Sequence, residues 1–348
     1  MVNTFDKLKI LYRLGFDKKQ PKVFSFHDCL PDVFSRYVEL LNYKRYRILS
    51  AGELFEKLEK GDIFDKEVIL TFDDGRRNCW TVIFPLLKKY KIKAVFFIIP
   101  SKIIDTDQYF PNLEDFWQGK VSWENLYLSH RLAPYLTWAE LKKMCSSGLV
   151  EIFSHSLKHE VVSVSSRVID FQHPGVYEIP VYFDEWMQAN KPDLDSLWGE
   201  PVFEHSWSCL ASNAYVPDEK MNRLMNEFVR VNGGFLFFRK KRWRKKLFDY
   251  YHQHKNLFSS GYFHKIENGE IMKESIEVSK ENIEDKLGCT CSAFSLPLYQ
   301  GDSHAMDLIA SAGYMAVFSG FMERQFENKS LYFINRIPGF WIKFLAYL

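Results

Sequence analysis

The sequence predicts an α/β protein, a distorted parallel (β/α) barrel carrying a large aromatic-rich insertion. Three observations point there. Short apolar runs alternate with stretches of helical periodicity, the order a parallel sheet requires. The runs lack a polar side, so both faces of each strand should be covered. Between residues 160 and 265 that rhythm stops, and proline, tryptophan and turn residues become frequent. The 348 residues suit one large barrel or about two ordinary domains. An apolar fraction of 47% argues against disorder.

Taken in order, Lys22–Cys29 is an apolar strand ending in His27 and Asp28. Residues 32–60 read as helix, short strand and helix, and Val68–Phe72 as a strand buried on both faces. Trp80–Tyr90 reads as an amphipathic helix, Lys93–Ile99 as a further buried strand, and residues 101–136 as a long aromatic-rich loop. Thr137 and Glu140 have the spacing of a capping box, opening a helix that runs to Gly148 and leads through Val150–Phe153 to His155. The rhythm resumes with a helix over Glu274–Leu287, a strand end at Ala293–Pro297, a helix over Ala305–Ala312 and a strand at Tyr314–Phe318. Asn335–Pro338 is the last turn back to the barrel mouth. The expected divisions are 1–159 and 266–348 for the barrel and 160–265 for the insertion, on the active-site side.

The chemistry concentrates at Thr71-Phe72-Asp73-Asp74-Gly75. Two carboxylates stand at the carboxyl end of a core strand, where such folds place their active sites. Neighbouring strand residues point to opposite sides, so the pair divides its work. Gly75 lets the backbone turn there, with one carboxylate toward a metal and the other toward substrate. A strand end with two solvated or capping acids is the plainer alternative. Further on, His155 and His159 are four apart, which places them on one face of a helical turn, close enough to share an ion. Two imidazoles and one aspartate would leave coordination open for water.

At these residues the sequence resembles the polysaccharide deacetylase family, carbohydrate esterases with the NodB homology domain. Thr71–Gly75 and His155-Ser156-Leu157-Lys158-His159 stand as its first two motifs, in the family's order. The resemblance implies a barrel of the NodB type and a divalent metal, zinc being the expected one, held by Asp74, His155 and His159. It makes Asp73 the base. Phe26-His27-Asp28 is similar to the segment that, in the poly-N-acetylglucosamine branch, carries the general-acid histidine. Trp138 matches a position that walls the substrate groove, a core role being the alternative. The third motif departs from the pattern: Ser295 stands two before Pro297 where many members carry an arginine, and Leu298 replaces the usual aromatic. The backbone amide of Leu298 remains a candidate to support an oxyanion. Arg76 and Arg336 are candidates to contact substrate or to orient Asp73, or else structural ion pairs.

With 46 basic and 44 acidic residues the charge is nearly balanced, and no general affinity for polyanions follows. Aromatic residues at 17% suit a sugar-binding protein or a well-packed one. Within the insertion, Trp207 and Tyr215 are candidates to face a sugar. Residues 239–246 gather cations around Trp243. Such a run is most often a solvated helix face, the alternative being peripheral contact with anionic lipid or a phosphate-bearing substrate. No reading motif for nucleic acid accompanies it. The six cysteines are scattered, and reduced thiols are expected. Met1–Arg13 lacks the pattern of a secretory signal, so the expected location is the cytoplasm, at the inner face of the membrane. The function expected is metal-dependent removal of an N-acetyl group from an amino sugar of a surface glycan or of its lipid- or nucleotide-linked precursor. The alternative is a catalytically inactive carbohydrate-binding or glycan-assembly scaffold on the same fold.

Overall fold

Twelve strands are described: β1 (Lys22–Phe26), β2 (Arg47–Ile48), β3 (Glu67–Phe72), β4 (Ala94–Ile98), β5 (Val150–Ser154), β6 (Val161–Phe171), β7 (Pro201–Trp207), β8 (Asn213–Val216), β9 (Tyr262–Lys265), β10 (Ala293–Ser295), β11 (Ala316–Gly320) and β12 (Tyr332–Pro338). The computed structural model describes residues 4–15, 17–182, 194–257, 261–266, 270–321 and 328–347. Residues 183–193 and 258–260 of the expected insertion lie outside the described residues. The chain divides into two compact units, Met1–Lys158 with Lys273–Leu348, and His159–Met272.

In the first unit the strands run β1-β12-β11-β10-β5-β4-β3, all parallel, and β3 pairs again with β1 to close a seven-strand barrel. One edge of β3 gives Val68–Phe72 to β1. The other edge is divided, with Glu67 and Val68 paired to β2 and Thr71 and Phe72 to β4. All six residues of β3 are buried, as the sequence's unbroken apolar run requires.

The rings of Phe26 and Phe72 stack at 5.1 Å, and Phe96 meets Phe72 at 5.4 Å, so the strand ends beneath the carboxylates rest on an aromatic layer. Gly339 is required there. A Cβ on it would lie 1.9 Å from the Phe26 ring.

Helices follow most strands. The capping box expected at Thr137 with Glu140 is complete, and Ser50 forms another with Glu53. Two readings change. Trp80–Tyr90 is not one amphipathic helix: a buried π-turn at Cys79–Ile83 precedes a shorter α-helix at Phe84–Tyr90. Residues 101–136 are not simply loop either. Asn112 and Ser122 cap short helices at Leu113–Trp117 and Trp123–Leu132, each a local signal easily read as loop polarity.

The second unit has its own construction. Antiparallel β6–β7 and β8–β9 accompany helices at Glu219–Val231 and Trp243–His254. Phe171, Trp198, Met225, Phe237 and Leu247 form its core. Trp207 is wholly buried and Tyr215 is 9% exposed, so neither offers a face to a sugar. The aromatic richness of this stretch builds a core.

Candidate active site and metal centre

Asp73 continues the ladder beyond β3, its N–H donating to Phe26 O at 2.9 Å. At the next residue the backbone turns. Asp74 and Gly75 both adopt positive φ, 71° and 69°. A left-handed aspartate is a strained choice that surrounding structure must enforce. Its result is to separate the two carboxylates: Asp73 meets Arg336, and Asp74 meets the histidines.

His155 and His159 are not on a helix. β5 ends at Ser154, and the backbone then bends through Ser156 (φ 68°) to His159 (φ 55°). The i,i+4 helical face expected from the spacing is therefore replaced by a left-handed turn. His155 N donates to Ile98 O at 2.8 Å, and Leu157 N to Ser275 O at 3.0 Å, which fixes the bend. Ligand atoms of Asp74, His155 and His159 all lie within 4.8 Å of one another.

The donor chemistry of this set fits an ion. His155 Nδ1 is 2.9 Å from Ser295 O. A carbonyl only accepts, so Nδ1 carries the proton and Nε2 presents a lone pair, 3.7 Å from Asp74 Oδ1. Burial lowers the pKa of His155 against the opposing pull of Asp73 and Asp74, keeping the ring neutral. Asp74 Oδ2 is taken by Arg76 Nε at 2.9 Å, leaving Oδ1 toward His155. A divalent ion held here would meet two imidazole nitrogens and one carboxylate oxygen, the borderline donor set that suits zinc.

Arg336 supplies the guanidinium that position 295 lacks. From β12 it donates to Asp73 Oδ1 at 2.6 Å and to Ser295 Oγ at 2.8 Å, with 1% of its surface exposed. Burial pushes the Asp73 carboxyl up, but Arg336, then His155 and His27, outweigh it and hold the group below its ordinary value. Tyr299, one residue beyond the expected aromatic position, puts its ring 5.1 Å from the Arg336 guanidinium and its hydroxyl 3.0 Å from Ser25 Oγ. Neither partnership was readable from spacing.

His27 stands at the end of β1, its side chain 53% exposed and Nε2 3.9 Å from Asp74 Oδ2. Its loop is pinned by Asn78, which accepts from Cys29 N at 2.9 Å and donates to Cys29 O at 3.1 Å. Asn78 is wholly buried and was missed by the sequence reading. Arg76 bridges Asp74 to Asp28, so it orients Asp74 rather than Asp73. Trp138 does not wall a groove. It is 7% exposed with Lys286 over its ring, so a sugar has no open face to stack on. Leu298 adopts φ 52° and its amide makes no hydrogen bond within the described residues, as an oxyanion donor would require.

Residues 60–172 match the family model described as polysaccharide deacetylase. That stretch, less than half of the chain, is similar to polysaccharide deacetylases. It contains Asp73, Asp74, His155 and His159. The comparison with curated proteins found no match. Among solved structures, the BpsB deacetylase domain from Bordetella bronchiseptica is 15% identical with a TM-score of 0.50, over 92% of this chain and 97% of that one. A de-N-acetylase from Aggregatibacter actinomycetemcomitans is 16% identical with a TM-score of 0.49, over 91% and 95%. IcaB from Ammonifex degensii is 15% identical with a TM-score of 0.48, over 95% and 97%. At such identity the property shared with the BpsB domain is the barrel.

Proposed function

We propose that this chain is a deacetylase that hydrolyses the N-acetyl group of an amino sugar, with a divalent metal, zinc being the best fit, held by Asp74, His155 and His159. The observation that carries the reading is the division of labour at Asp73-Asp74, one carboxylate on the ion-binding set and the other on Arg336. The ion would supply Lewis-acid activation of water and of the acetyl carbonyl. Asp73, kept ionised by Arg336, takes a proton from the attacking water. His27, exposed at the strand end, delivers a proton to the departing amine. Leu298 N–H stabilises the developing oxyanion. Acetate and a free amino sugar result.

An inactive scaffold was the alternative because position 295 is not arginine. The active reading is supported by Arg336, which gives Asp73 the same kind of partner. For the substrate we favour a surface glycan or its lipid- or nucleotide-linked precursor. Acetate release from N-acetylated lipid- and nucleotide-linked sugars tests the reading. Activity that requires a divalent ion and disappears in Asp73→Asn supports it; release that survives Asp73→Asn overturns it.

A further inference from the structure

Seven of the eight residues from Arg239 to Lys246 are cations, Trp243 being the exception. They occupy the connection between the turn Gly234–Arg239 and the helix Trp243–His254 of the second unit. All seven are exposed. Among the described residues only two of them meet a carboxylate, Arg244 on Asp170 at 3.0 Å and Lys245 on Asp249 at 2.7 Å. Lys240 donates to the carbonyl of Asn232, which leaves its charge uncompensated. Arg239 lies over the Phe235 ring, 5.0 Å from its centre.

The fold resists this arrangement. Arg242, Arg244, Lys245 and Lys246 fill the cap and first turn of their helix, and no side chain caps it. The backbone dipole is positive at that end, so each added cation is repelled. Arg242 also sits at φ 60°, a conformation that favours glycine. Leu236 and Val231, on the chain leading into the tip, are 57% and 64% exposed. Cations without carboxylate partners thus stand beside aliphatic side chains turned to water.

We propose that this tip docks the protein on an anionic lipid bilayer. A soluble polyanion would use the cations alone and leave the aliphatic surface wet. A bilayer takes both, phosphate headgroups against the cations and the acyl boundary against Leu236. The anionic surface also relieves the repulsion built into the helix start.

Flotation of the full chain with phosphatidylcholine vesicles, with and without phosphatidylglycerol, tests this. The expected result is binding to the anionic vesicles only, weakening as salt rises. Lys241→Glu with Lys246→Glu should remove it, each cation lost costing about fivefold in partitioning, and Leu236→Ser should weaken it. These positions are on the surface, so thermal unfolding and acetate release from a small soluble substrate should be unchanged. A failure here leaves the catalytic reading standing. Equal binding to neutral vesicles, binding that the double variant retains, or capture by soluble polyphosphate without vesicle binding would each overturn the proposal.

Discussion

Arg336 and Asp73, 263 positions apart in sequence, form a fully buried ion pair at 2.6 Å. The second arm of the same guanidinium holds Ser295 Oγ at 2.8 Å. Replacing Arg336 by Met should strand the Asp73 carboxylate in a dry site. We predict a loss of about 3–5 kcal/mol in urea unfolding. The Asp73 pKa, held below its ordinary value by Arg336, should rise, so the acid limb of the pH–rate profile moves to higher pH and kcat falls about a hundredfold or more. Arg336→Lys should restore little, because one ammonium cannot reach both Asp73 and Ser295 as the fork does.

Asn78 acts at one remove, through the Cys29 backbone that follows His27 and Asp28. Asn78→Ala removes both bonds to the buried Cys29 backbone, costing about 1–3 kcal/mol. With His27 less firmly aimed, kcat should fall more than KM rises. Steady-state kinetics reads both.

Gly339 admits the Phe26 ring. Gly339→Ala should cost about 1–3 kcal/mol or more, since the added carbon meets an aromatic ring that Phe72 backs and the neighbours must move. Equal unfolding midpoints for the two chains would refute the packing argument.

His130 gives the pH dependence of stability. Burial, then Arg77, lower its pKa from 6.5 to about 3 in the folded chain. The unfolded chain therefore binds the extra proton first. Stability from this residue is complete above about pH 6.5 and is lost as pH falls toward about 3, at up to about 1.4 kcal/mol per pH unit. Denaturant unfolding across that range should show the slope, and His130→Leu should flatten it.

The barrel and the gathering of Asp74 with two histidines were legible in the sequence for one physical reason. Strands covered on both faces carry unbroken apolar runs, and chemistry gathers where they end. Asp73, Asp74, His155 and His159 stand at such ends. What was not legible depends on closure. Arg336 was one of two arginines named as candidates to orient Asp73, and what selects it is that β12 lies beside β1 and β1 beside β3, a ring that spacing cannot show. The helical reading of His155 and His159 failed because Ser156 and His159 adopt left-handed backbone without glycine to announce it. Trp138 and Trp207 look alike in sequence whether they face a sugar or the interior, and here both are buried.

The central claim is that Asp74, His155 and His159 hold an ion while Asp73 stays free to act as base. Zinc titration by chelator competition tests it most directly. The account predicts one tight site per chain, lost in Asp74→Asn, His155→Gln and His159→Gln and retained in an Asp73→Asn chain that no longer releases acetate. Zinc affinity untouched by His155→Gln and His159→Gln would contradict it, as would a site that disappears with Asp73.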